Sequence, residues 1–182
     1  MTDEKRQPRP AVKYGPTAST VADNVQRLRK RRELSIYQLS AALRQAGRPI
    51  TPAAVGKLER QERQVTVDDL MALAVALDVS PVTLLLPANT RGPKDANGIP
   101  TQALTEVTGA GEVAVADAWR WAWCEDPLSY PEGESDEEQD RHLMDFLLNS
   151  RPIGLLSAQG DDRVMSAAVG SRKKRSDGPS MD

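Results

Sequence analysis

From Val21 onward the chain places apolar residues at intervals of three and four, with polar or charged residues between them. Val21, Val25 and Leu28 keep that spacing while Arg27, Arg29, Lys30, Arg31 and Arg32 fill much of the remaining surface, which predicts a first, strongly basic helix. Ser35 caps a second helix with Leu39, Ala42 and Leu43 on its inner face, and Gly47 and Pro49 end it. Thr51 offers a side-chain oxygen to the orphan amides of a third helix, and Pro52 stands at its first position, where a missing N–H costs nothing. Val55 and Leu58 share one face of that helix, and Ala54 and Lys57 form a neighbouring stripe. Thr66 opens a fourth helix with Asp68 and Asp69 in its first turn, favourable to the helix dipole, and with Leu70, Leu73, Ala74 and Leu77 as its buried stripe. Ser80 and Pro81 repeat the start signal for a short fifth helix in "VTLLLP". Five short helices with close connections predict one all-α domain over residues 21–87.

The flanks lack this order. Residues 1–20 have no hydrophobic period and contain Pro8, Pro10, Gly15 and Pro16, which predicts a flexible basic arm. Residues 88–112 mix Asn, Gly, Pro and charge and read as a linker. Residues 113–150 form an acidic, partly helical extension. Val115, Trp119 and Trp123 stack at helical spacing, "PEGESDEEQD" reads as an acidic loop, and "RHLMDFLLNSRP" as a further short amphipathic helix. Residues 151–182 read as a disordered tail, which contains the basic "SRKKRS".

Composition adds that the 182 residues are not all core, since 39% are hydrophobic and only 4% aromatic. The net charge of -2 conceals a marked asymmetry: +6 over residues 21–65 and -10 over residues 101–150. The basic helical segment suits a polyanion, and the acidic segment would be repelled by one.

Several chemistries are poorly supported. Cys124 is the only cysteine, so an intramolecular disulfide or a cysteine zinc site cannot form, and a reducing cytoplasm is the expected compartment. The charged, proline-bearing start carries no signal-peptide core, and "LMALAVALDVSPVTLLLP" is too short and interrupted to span a bilayer. His142, the only histidine, lies far along the chain from Cys124, so a nucleophile pair is not indicated. "GAGE" at 109–112 lacks the strand before it and the Lys-Ser/Thr after it that a phosphate loop needs. The acidic run lacks calcium-loop spacing. No enzyme, metal or cofactor is expected. Trp119, Trp121 and Trp123 expose more aromatic surface than so short a segment hides alone, which suits docking onto the helical domain, a protein partner or a small-molecule effector.

Two helices joined by a turn, the second opening with an exposed stripe of small residues, follow the layout of a helix-turn-helix. "NVQRLRKRRELSIYQLSAAL", "ITPAAVGKLERQER" and "TVDDLMALAVALDVSPVTLLL" resemble the Cro/C1-type (XRE-like) family of bacterial transcriptional regulators. The resemblance implies a five-helix, lambda-repressor-like fold with Leu28, Leu34, Leu39, Leu43, Ile50, Val55, Leu58, Leu70, Leu73 and Leu77 in its core. It implies a structural ion pair between Arg29 and Glu59. It places DNA base contacts on the first turns of the third helix, at Thr51, Pro52, Ala53, Ala54 and Lys57. Lys57 suits a guanine edge, the alanines a thymine methyl, and the Thr51 hydroxyl also suits a phosphate. Backbone contacts fall to Tyr37, Gln38, Arg48, Arg60, Arg63 and Gln64. The chain departs from the family in Pro52 and Ala53, which offer no side-chain hydrogen bond, in Ile36 where relatives often carry glutamine, and in the longer turn "RQAGRPI".

The expected function is therefore sequence-specific binding of double-stranded DNA by a cytoplasmic homodimer, the third helix lying in the major groove and the half-sites ~34 Å apart. An antitoxin-like or scaffold protein-interaction module is the alternative, with its partner on residues 113–150.

Overall fold

The computed structural model describes residues 14–152, which divide after Val115 into two units. The first begins with helix α1 (Pro16–Arg31), followed by α2 (Ile36–Gln45), α3 (Pro52–Glu59), α4 (Val67–Ala76) and α5 (Pro81–Leu85). Two antiparallel hairpins come next, β1 (Arg91–Lys94) with β2 (Pro100–Gln102), and β3 (Leu104–Val107) with β4 (Gly111–Ala114). Helix α6 (Val115–Ala122) leads into the second unit, which contains α7 (Asp136–Ser150).

The five helices close around Val21, Val25, Leu28, Leu39, Leu43, Ile50, Val55, Leu58, Leu73, Leu77 and Leu84, with Leu34 and Leu70 packed against them from the rim. Besides Glu59, described below, three polar residues are buried among the described residues, and each has a partner. Asn24 donates to the carbonyls of Leu84 and Leu86 at 3.1 and 2.8 Å, which fastens α5 to α1. Ser40 donates to the Ile50 carbonyl at 2.6 Å, which fastens α2 to the turn before α3. Asp69 accepts from two arginines, described below.

Helix starts follow the side-chain caps. Ser35 accepts from the N–H of Gln38, Thr51 from Ala54 and Thr66 from Asp69. Helix ends follow a backbone motif. After α1, α3 and α4 the chain turns through Glu33 (φ 56), Gln61 (φ 60) and Asp78 (φ 47), all in the left-handed region without being glycine. The paired bonds of a Schellman turn close each end, for example Leu34 N–H to the Arg29 carbonyl and Glu33 N–H to Lys30.

The structure corrects the sequence reading in four places. Residues 16–20 are the first turns of α1, not part of a flexible arm. Their start is capped from ninety-one residues away: Thr17 N–H donates to Thr108 Oγ1 at 3.4 Å, and Thr108 N–H donates to Thr17 Oγ1 at 3.0 Å. Gly15 permits that approach, because a Cβ there would lie 3.1 Å from Thr108 Oγ1. The arm's residues 1–13 lie outside the described residues, as does the tail from residue 153.

The segment 88–112 is not a structureless linker, and the chain is not all-α. Gly98, Gly109 and Gly111, with Asn97, read as linker signals, belong to the turns of the two hairpins, and Gly92 lies within β1. Asp95 Oδ1 accepts from the N–H groups of Asn97 and Ile99, with Gly98 at φ 78. "TGAG" closes β3 on β4 with Gly109 at φ 92 and Gly111 at φ 77. Both turns need positive φ, which glycine adopts without strain. Finally, half of the acidic run is helical. Glu138 accepts from the Ser135 N–H and hydroxyl at 2.8 Å, so α7 starts at Asp136, with three acids favouring its N-terminal dipole.

In the second unit Trp119 and Trp123 share a face, ring centroids 5.1 Å apart, and Trp121 and Trp123 are 39% and 57% exposed. Tyr130 donates to Asp126 at 2.6 Å and meets His142 edge-on; burial and the Asp126 carboxylate push its phenol up to about 12.

Candidate nucleic-acid interface

Helix α3 is held on its inner side and open on its outer side. Val55, Gly56, Leu58 and Glu59 are buried, whereas Thr51, Ala53, Lys57 and Arg60 are exposed. Arg29 donates from Nε and Nη2 to the two oxygens of Glu59 at 2.6 and 2.8 Å, and from Nη1 to the Leu34 carbonyl at 2.8 Å. That one guanidinium thus links α1, the connection to α2, and α3. The hydrogen bonds to Glu59 raise the Arg29 pKa against the opposing effect of burial. The pair is nearly dry, with side chains 11% and 4% exposed.

Of the residues assigned to base contact, Thr51, Ala53 and Lys57 lie together on the open side. Ala54 does not join them fully: it is half-buried and packs against the core. Thr51 Oγ1 already accepts from Ala54 N–H at 3.3 Å, and its own O–H remains a donor. Tyr37 and Gln38 lie on the first turn of α2, both exposed, Tyr37 by 75%. Gln38 Oε1 accepts from Ser35 N–H at 2.8 Å, which leaves the amide NH2 as its outward donor. Ile36 is half-buried against the core, which accounts for an apolar residue in place of glutamine; a Cβ on Gly56 would lie 3.9 Å from its Cδ1.

The arginines assigned to the DNA backbone divide into two kinds. Arg60 forms a paired contact with Glu62 at 2.9 and 3.0 Å, both exposed, and lowers the Glu62 pKa. Water screens such a pair and a phosphate can replace it. Arg48 and Arg63 instead converge on Asp69, whose side chain is fully buried. Arg48 Nε donates to Oδ1 at 2.8 Å and Arg63 Nη2 to Oδ2 at 2.7 Å. Burial pushes the Asp69 carboxyl upward, but the hydrogen bond from Arg48, the charge of Arg63 and the Thr66 N–H outweigh it and hold Asp69 below the usual carboxylate range. Gln64 is exposed beside them.

Sequence reasoning passed over Asn24 and Ser40 and read Asp69 only as a residue favourable to the helix dipole. Each stands as a polar residue in an otherwise apolar helical stripe, which marks it as a buried group in need of a partner. Their partners were not legible, being backbone carbonyls or arginines distant along the chain.

Among the described residues no group of three or more His, Cys, Asp or Glu side chains is placed to hold a metal, and no helix is long and apolar enough to cross a membrane. The arrangement offers hydroxyl, ammonium and guanidinium donors along the open side of a short helix, from its N-cap Thr51 to its C-cap Arg60, a set suited to phosphates and base edges.

Neither the curated proteins nor the solved structures give a match to this chain. The Helix-turn-helix family model matches residues 25–84, which run from within α1 into α5. A basic helix locked to a short, outward-facing α3 by a buried Arg–Glu pair thus lies within the stretch, residues 25–84, that fits the model of the Cro/C1-type helix-turn-helix family.

Proposed function

We propose that this protein is a sequence-specific, DNA-binding transcriptional regulator of the cytoplasm, and that α3 enters the major groove. The observation that carries this reading is the open side of α3. Thr51, Ala53 and Lys57 are exposed on a helix whose opposite side is fixed to the core, so base-reading groups sit on a rigid element. Ala53 brings the backbone close and offers a methyl to thymine, while Lys57 donates to guanine. Tyr37, Gln38, Arg60 and Gln64 surround this face and contact phosphates. Two copies bind a two-fold site, each contributing one α3. The second unit, with its exposed Trp121 and Trp123, serves a protein partner or an effector.

The test is selection of genomic fragments by the purified protein at physiological salt, followed by sequencing. An enriched inverted repeat is the expected result, and uniform recovery sinks the reading. With the operator in hand, Lys57→Ala relaxes the preference at one base pair, losing about 1–3 kcal/mol of discrimination there. Arg60→Gln weakens all sequences alike and reduces the salt slope by about 1. Measurement of both variants against a panel of single-base operator changes separates the two roles.

A further inference from the structure

We propose that Asp69 is a positioning residue for DNA recognition: its buried carboxylate ties Arg48, before α3, to Arg63, after it, and so fixes both ends of the reading helix. The inference rests on the DNA-binding reading above.

The geometry exceeds what a helix cap requires. As the third residue of α4, Asp69 exchanges bonds with Thr66, accepting from its N–H at 3.5 Å and donating its own N–H to Thr66 Oγ1 at 3.2 Å. That exchange works at the surface and needs no arginine. Here the carboxylate is wholly buried, and each oxygen faces a guanidinium from a different connection: Arg48 from the α2–α3 turn and Arg63 from the α3–α4 turn. A buried anion stays charged only when paired, so the two connections cannot drift apart without stranding it. With one edge of each arginine held at Asp69, the side chains remain 42% and 32% exposed, while Arg63 Nη1 is itself buried. Arg48 Nη2 also reaches Thr66 Oγ1 at 3.4 Å. The unusual length of the α2–α3 turn, which would otherwise loosen the start of α3, is thereby restrained. The carboxylate acts through the arginines and does not itself meet DNA, which would repel it.

The experiment compares binding of the full chain to its selected operator and to a scrambled duplex of equal length. A lost phosphate contact weakens both duplexes alike, whereas a misplaced α3 weakens only the operator. Asp69→Asn keeps the shape and removes the charge. It is expected to lower the operator-to-scrambled ratio by about tenfold, the size of one disrupted base-pair contact, with affinity for the scrambled duplex equal or higher. A wild-type ratio in a folded Asp69→Asn protein overturns the proposal. Should that variant fail to fold, Arg48→Gln combined with Arg63→Gln cuts the same link from its exposed ends, and the same ratio decides: a fall supports positioning, and an unchanged ratio with uniformly weaker binding overturns it. A wild-type protein that does not prefer any sequence overturns the DNA-reading function itself, a result distinct from a preference that survives loss of the carboxylate.

Discussion

Arg29 and Glu59 are thirty residues apart, yet their contact fixes how α3 sits against α1, and its near-complete burial sets its energetic weight. Removing one partner leaves a buried charge without compensation, so Arg29→Ala should destabilise the domain by ~3–5 kcal/mol, while the Arg29→Ala/Glu59→Ala double variant should lose less than the sum. Denaturant unfolding of the three variants checks this, and simple additivity would show the pair to be uncoupled. Glu33 illustrates the opposite case, a residue held in an unfavourable conformation. It is exposed at φ 56, where a Cβ is crowded and glycine is not. Glu33→Gly should therefore raise stability by about 0.5–1 kcal/mol, and Glu33→Ala, which keeps the Cβ, should give no such gain. Denaturation midpoints in high salt isolate this conformational effect from the loss of a surface charge.

At the level of the element, the connections around α3 depend on ionised Asp69. Its folded-state pKa is depressed below the unfolded value, so the stability it contributes is complete above the unfolded carboxylate range, about pH 4, and disappears as pH falls through the lower folded value. Acid titration of the wild type should show loss of stability beginning below about pH 4. The Asp69→Asn protein should be less stable at neutral pH and show a shallower acid slope, since it has no carboxylate to protonate at this site. Parallel acid slopes for the two proteins would assign acid sensitivity elsewhere. The hairpins show a second relation between elements, because β3–β4 supplies through Thr108 the cap that α1 lacks locally.

At the scale of the whole molecule, charge is divided along the chain, +6 over residues 21–65 against -10 over residues 101–150. A polyanion attracts the first and repels the second, and repulsion acts within a Debye length, roughly 30 Å at 0.01 M salt and 8 Å at 0.15 M. Deleting residues 116–182 should raise affinity for non-specific DNA at low salt, and the gain should shrink toward physiological salt. Binding isotherms at both ionic strengths test this, with circular dichroism to verify that the shortened chain keeps α1 to α5. An equal gain at both would mean that the acidic half obstructs DNA sterically.

Much of the first unit was legible because it is written in local signals. Ser35, Thr51 and Thr66 mark helix starts through bonds within four residues, Pro52 and Pro81 mark them by standing at the first helical position, and the apolar spacing marks the inward faces. The open residues of α3, Thr51, Ala53 and Lys57, followed from the same pattern together with the family resemblance. Helix ends were harder, since Glu33, Gln61 and Asp78 occupy positions where glycine would have announced the turn. Some local signals were simply misread: the glycines of the two hairpins and Ser135 with Glu138 at the start of α7 are both present in the sequence. What only the tertiary structure decided are the long-range partners. The start of α1 at Pro16 depends on Thr108, the burial of Asn24 on the carbonyls of α5, and the placing of Arg48 and Arg63 on a carboxylate in α4. The physical reason is common to all three: a local motif carries its partner within a turn of chain, whereas a buried polar group states a need that only the folded neighbourhood can meet.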